Sequence, residues 1–137
     1  MANAIYRKFL ERCLAAGLNG LPLKCAAVNG AGAGTLYVPN TLTDQMFSSV
    51  PPLSILRVTG NLSSVSFVDG ILRADNLAPA FAALAGITFE FLVVFVDTGN
   101  PATSPLVCIY DTATGLPLIP NGTNVDLTWD PSGVLAL

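Results

Sequence analysis

The chain has 137 residues, 52% apolar and only 11% charged, with no histidine and a formal net charge of −3. One domain of this length encloses a real core. With charged residues far below the roughly 25% of ordinary globular domains, apolar side chains are left over for the surface, where large patches mark contacts with other molecules. The missing imidazole excludes His-ligated zinc, Ser-His-Asp and Cys-His nucleophiles, and imidazole acid–base chemistry.

The charge is uneven. Residues 1–24 carry Arg7, Lys8, Arg12 and Lys24 against Glu11, whereas residues 25–137 carry Arg57 and Arg73 against eight acids. An acidic body argues against nucleic-acid binding, and a basic N-terminal segment is suited to an acidic partner. Cys13, Cys25 and Cys108 lack metal-ligand spacing and read as ordinary buried thiols. No signal peptide is expected, because charges stand where its apolar core belongs.

In chain order, "AIYRKFLERCLAA" (4–16) predicts an amphipathic helix. Ile5, Tyr6, Phe9, Leu10, Cys13 and Leu14 recur at helical spacing, and Arg7, Lys8, Glu11 and Arg12 take the other face. Asn3 and Gly17 suit the two caps. From Gly20 the texture is β. "LPLKCAAV" (21–28) and "GTLYV" (34–38) read as strands joined by a glycine-rich connection at 29–35. That loop lacks the Gly-Lys-Ser/Thr and the following helix of a phosphate site. "TLTDQMFSSVP" predicts one short helical turn, opened by Thr43 and closed before Pro51.

Further strands are expected in "LSILRVTG", "SSVSFVDG", "GILRA", "TFEFLVVFVD", "PLVCIYD", "NVDLTWD" and "GVLAL", separated by Gly, Pro, Asn and Asp turns. "LAPAFAALAGITFEFLVVFV" (77–96) is long enough to span a bilayer, but Pro79, Gly86 and Glu90 interrupt it. It reads as a loop followed by a buried strand. "FLVVFV" does not alternate, so it belongs at a sheet centre covered on both faces. The fold class expected is all-β: a jelly-roll-like β-sandwich over residues 21–137 with an N-terminal amphipathic helix, in a single domain spanning 1–137.

One motif invites chemistry. Asp97-Thr98-Gly99 after an apolar strand has the form of an aspartic protease loop, which would need a second copy across a two-fold axis to supply the second carboxylate. Only 40 residues follow Asp97, without a flap or the supporting apolar-apolar-Gly strand, and Asn100-Pro101 continue the turn chemistry. The pairs Asp69/Asp75 and Asp126/Asp130 mark turn edges more simply than a glycosidase or calcium site. Tyr37, Tyr110 and Trp129 read as core or interface aromatics; a glycan platform built on Trp129 is the alternative. No catalytic, metal or cofactor-binding residue is assigned.

The stretch "FVDTGNPATSPLVCIYDTATGLPLIPNGTNVDLTWDPSGVLAL" (95–137), with the opening "MANAIYRKFLERCLAAG" and "DQMFSSVP", resembles a family of small tailed-phage virion proteins. Members carry D-T-G, an "ATS" loop, "D-x-x-T-G-L-P", "P-N-G" and a Trp-containing strand. This chain departs from them in having Arg7 and Lys8 after Tyr6 where an acidic residue is common. The resemblance implies a non-enzymatic capsid cement or decoration protein. It would be made in the bacterial cytoplasm and carried on the exterior of an HK97-fold shell. Its expected partners are the major capsid protein and further copies of itself, as a homodimer or homotrimer, with no nucleic acid, membrane or cofactor. Ile5, Tyr6, Arg7, Lys8, Phe9, Leu10 and Arg12 are the expected subunit or capsid contacts. A tail or head–tail joining component, and the D-T-G protease, are the alternatives.

Overall fold

The computed structural model describes residues 4–6, 9, 22–30, 37–68, 71–111, 116–131 and 133–136. Within them the chain is all-β and antiparallel. The strands are β1 (Ala4–Ile5), β2 (Leu23–Val28), β3 (Ile55–Val58), β4 (Ser66–Val68), β5 (Ile71–Arg73), β6 (Leu77–Phe81), β7 (Phe91–Val96), β8 (Leu106–Tyr110), β9 (Val125–Leu127) and β10 (Leu135–Ala136). Short 3-10 turns occupy Phe47–Ser49, Pro52–Ser54 and Pro101–Thr103.

The principal sheet has the order β1-β8-β7-β2-β3, with a three-stranded sheet β10-β5-β4 and a ribbon β6-β9 beside it. Its centre is β7, the "FLVVFV" run. Leu92 through Val96 are all buried, so neither face of this strand meets water. The register Leu23↔Val96 to Val28↔Phe91 pairs β2 along its whole length. On the other side β8 pairs from Leu92↔Tyr110 to Phe95↔Leu106, with an irregularity between Val94 and Phe95 that leaves Val107 as the extra residue.

Parity along the strands separates two faces. Phe95 is in phase with Val93 and Leu106, and the ring of Phe47 stacks on it at 4.0 Å between centroids. The irregular segment running from Tyr37 to Val50 therefore covers this face. On the opposite face Cys25, Val94, Cys108 and Tyr110 are in phase. There Tyr110 meets the Trp129 ring, and its hydroxyl donates to the Val134 carbonyl, while Val134 N–H bonds to the Leu72 carbonyl at 2.7 Å. The two smaller sheets thus supply the second cover, with Leu72, Phe81, Leu84 and Phe89 in the same continuous core.

Two expectations need correction. Ala4 and Ile5 are not the first turn of a helix: they pair with Ile109 and Cys108 as an edge strand, and Tyr6 N–H continues the ladder to the Val107 carbonyl at 3.1 Å. The open edge of β8 offers backbone partners that a helix start would have to find elsewhere, and the pairing seats Tyr6 in the core. Phe9 has helical backbone, and the rest of the expected helix (7, 8, 10–16) lies outside the described residues. Second, Leu77–Phe81, expected as loop, is strand β6. Its Pro79 is tolerated because, among the described residues, β6 pairs on one side only, with β9, in an irregular register. The short helical turn lies within the expected stretch but is entered from Met46 rather than Thr43. Of the expected strand 34–38, residues 34–36 lie outside the described residues, and Tyr37 forms a single parallel bridge to Gly30.

Gly133 tests the second cover. Its φ is +110°, and a Cβ there would stand 2.7 Å from Ile71 Cγ2 and 2.8 Å from the Leu72 carbonyl oxygen. Gly133→Ala is expected to cost about 1–3 kcal/mol in urea unfolding, through left-handed strain and displacement of the β5 backbone. A variant with unchanged midpoint would show that this turn relaxes freely.

Candidate functional site

Three sets of polar residues bear on function. The first is the Asp97 loop, at the end of the sheet where β7 leaves the core. Asp97 N–H bonds to the Pro22 carbonyl at 2.8 Å, fixing the exit of β7 beside the entry of β2. The carboxylate Oδ2 lies 2.7 Å from Lys24 Nζ, and Oδ1 accepts Gly99 N–H at 3.0 Å. This is an Asx-turn, with Gly99 supplying the φ of +88°. Thr98 Oγ1 contacts Thr103 Oγ1 at 2.6 Å, Ser104 Oγ donates to the Asn100 carbonyl at 2.9 Å, and Asn100 Oδ1 accepts Ala102 N–H at the start of a 3-10 turn. The loop therefore satisfies its own polar groups.

Lys24 is the main reason the Asp97 carboxyl titrates below its ordinary value, with the Gly99 amide adding to it. A catalytic carboxylate of the shared-proton kind needs a partner that raises its proton affinity. Lys24 does the opposite and holds Asp97 ionised.

The second set is a buried hydrogen-bonded chain that ties the N-terminal segment down. Tyr6 and Tyr37 hydroxyls are 2.7 Å apart, and Tyr37 donates to Asp44 Oδ2 at 2.6 Å. Because Tyr37 spends its only proton on Asp44, Tyr6 must be the donor to Tyr37. The same Asp44 oxygen accepts Asn40 N–H at 3.0 Å, closing the turn at 40–44. Tyr6 is wholly buried, and burial pushes both phenols well above their ordinary range. Tyr6 and Phe9 lie in this chain's own core and Ile5 is packed against it. Of the expected contact residues, Arg7, Lys8, Leu10 and Arg12 lie outside the described residues.

The remaining candidates are scattered. Asp75 accepts both Ser63 and Ser64 hydroxyls, and its carbonyl accepts the Trp129 indole N–H at 3.1 Å. The polar edge of that aromatic is thereby satisfied within the chain. Cys25 and Cys108 are buried, and burial pushes the Cys108 thiol up to about 12 and Cys25 further in the same direction. Both stay protonated and are poor nucleophiles. Among the described residues no three Cys, Asp or Glu side chains cluster as a metal site, and no helix is long and apolar enough to cross a membrane.

Reasoning from the sequence did not locate the exposed apolar side chains. Val38, Leu42, Leu53, Val58, Ile87 and Ile119 are large and open to solvent. Composition signalled such a surplus but not which residues carry it. No protein-family model matches the chain, and no curated protein matches it in sequence.

Two measurements check these sites. Tyr6→Phe removes one buried donor and is expected to lower stability by about 1 kcal/mol, against about 3–5 kcal/mol for Tyr6→Ala; equal urea midpoints for Tyr6→Phe and the native chain would mean that the hydroxyl contributes nothing net. For the ion pair, the native Asp97 pKa lies below its unfolded value. Its contribution is therefore complete above about pH 4 and is lost as pH falls through the native value. Lys24→Met should thus cost about 0.2–1 kcal/mol near neutrality and nothing at lower pH, read from unfolding curves at the two pH values.

Proposed function

We propose that this protein is a non-enzymatic structural component of a tailed-phage virion, a cement or decoration protein that sits on the outside of an HK97-fold capsid and clamps neighbouring subunits. The observation that carries the reading is the contrast between polar loops satisfied within the chain and large apolar side chains turned to solvent. A molecule built this way offers surfaces rather than a reactive cleft. The resemblance of residues 95–137 to small phage virion proteins supports the same class. The jelly-roll-like sandwich belongs to this proposal: the antiparallel five-stranded sheet, with smaller sheets against one face, is compatible with it.

The mechanism is thermodynamic. A clamp that binds only the assembled shell stabilises it by its binding free energy, and repetition over the shell multiplies modest contacts through avidity. In this reading the basic residues Arg7, Lys8 and Arg12 meet an acidic capsid surface, a role that rests on their charge in the sequence. Ionised Asp97, paired with Lys24, supports a turn role over a protease.

Quantitative gels of purified virions should give many copies per particle; a single ring at one vertex would replace the shell reading by a tail or head–tail component. Arg7→Glu, Lys8→Glu and Arg12→Glu together should reduce capsid occupancy without changing thermal unfolding, and full occupancy would refute the basic contact. Asp97→Asn should leave virion assembly intact, whereas loss of a proteolytic step would restore the protease alternative.

A further inference from the structure

The chain has one tryptophan, and polar groups from two other segments fix it in place. Trp129 follows β9, packs partly against the core, and lies beside the Tyr110 ring with centroids 6.3 Å apart. Its backbone N–H bonds to Asn76 Oδ1 at 2.8 Å and its indole N–H to the Asp75 carbonyl at 3.1 Å. The Asp75 carboxylate in turn accepts the Ser64 hydroxyl at 2.9 Å and the Ser63 hydroxyl at 3.2 Å. Asp75 N–H bonds to the Ser63 carbonyl at 2.9 Å. These hydrogen bonds join the five residues into one contiguous group. Ser63, Ser64, Asp75 and Asn76 are exposed, and Trp129 is partly so.

The group has bonding capacity to spare. Both serine hydroxyls use Asp75 Oδ2, which leaves Oδ1 to accept. Trp129 uses Asn76 Oδ1, which leaves the two Nδ2 hydrogens to donate. Adjacent residues thus offer an acceptor and a donor beside an aromatic ring whose own N–H is already satisfied. The arrangement is also held under strain. Ser64 has a φ of +54°, a conformation that persists in a non-glycine residue only where its surroundings enforce it.

We propose that Ser63, Ser64, Asp75, Asn76 and Trp129 form a binding site for a neutral sugar. A pyranose of that class would lay its C–H face on the indole and give neighbouring hydroxyls to Asp75 Oδ1 and Asn76 Nδ2. The ligand class follows from the groups on offer. A pyranose combines an apolar C–H face with vicinal hydroxyls, each able to donate and to accept. One hydroxyl donates to the carboxylate and the next accepts from the amide. A wholly apolar ligand would strip water from Asp75 and Asn76 and return no hydrogen bond. An anionic ligand would meet Asp75, with Asp126 and Asp130 flanking Trp129 in sequence. The cation on this side, Arg73, has Nη1 on the Pro131 carbonyl at 2.9 Å. Order already present in the group reduces what binding must spend on fixing side chains. The inference does not rest on the capsid reading, so either can fail without the other.

Because Trp129 is the sole tryptophan, its emission reports on this site alone. The full chain is titrated with the methyl glycosides of glucose, galactose, mannose and N-acetylglucosamine, and with glucuronic and N-acetylneuraminic acids. N-acetyltryptophanamide serves as the blank for solution effects. At least one neutral glycoside should change the emission saturably, and the two acids should not. Asn76→Asp keeps the oxygen that holds Trp129 and removes the donor. Asp75→Asn keeps an acceptor for the serine hydroxyls and puts a donor in place of Oδ1. Each should weaken binding by about tenfold, with thermal unfolding verifying the fold. Saturation transfer from the native chain's aromatic protons to the sugar's C–H protons should locate the contact without any variant, should either one unfold. The proposal is overturned by the absence of a saturable change with every neutral glycoside, or of that transfer. Binding of the acidic sugars as tight as that of the neutral ones overturns it too, as does affinity that survives both substitutions.

Discussion

The structure depends on burying one strand from every direction. β7 carries Phe91 to Val96 with no polar side chain, and it is paired by β2 on one side and β8 on the other. A strand of this kind cannot leave either face wet, so the rest of the chain has to provide two covers. The covers differ in kind. One is an irregular run from Tyr37 to Val50, anchored by the stacked Phe47 and Phe95 rings. The other is built from the two small sheets, with Tyr110 as the contact between layers. Neither cover resembles a free-standing sheet of useful size, which is why the core forms one continuous cluster.

Irregular backbone over a core brings polar groups into apolar surroundings, and the molecule answers each with a dedicated partner. Tyr37 cannot lie under the Tyr37–Val50 cover without its hydroxyl, so it is sandwiched between Tyr6 and Asp44. Asn29 is buried where β2 ends and ties the Ser54 and Thr88 backbones together. Thr59 Oγ1 takes the Cys25 amide just beyond the end of β3. Among the described residues no buried side-chain polar atom lacks a partner. Such fully satisfied networks favour one arrangement over its competitors, because any slippage leaves a group unpaired in low dielectric.

What the sequence revealed follows from the range of the interactions. The unbroken run FLVVFV signalled its own central position, and LPLKCAAV its strand, because burial on two faces removes alternation over a few residues. The turn at Asp97 was readable from D-T-G-N-P, but its ion pair with Lys24 was not, since that partner comes from the neighbouring strand β2, distant in sequence. The N-terminal residues show why period alone misleads. Ile5, Tyr6 and Phe9 satisfy a helical stripe, yet Ala4 and Ile5 are too short a strand to carry any alternation of their own, and the edge of β8 decides the matter. β6 was hidden by Pro79, which argues against a strand interior, and by alanines, which are poor strand formers. The exposed apolar residues were visible only as excess composition, because tertiary packing decides which apolar side chains are left open.

The place of β2 in the sheet also sets an order on synthesis. Its neighbours are β3, which follows within the next thirty-odd residues, and β7, which pairs Leu23 with Val96. As the chain emerges from the ribosome, LKCAAV can close a hairpin with ILRV, but its other edge stays open until residue 96 has been made. Contacts of such long sequence separation are slow to form. Through that interval one side of an apolar strand is without its partner, which makes the nascent chain more prone to mispairing than the finished one.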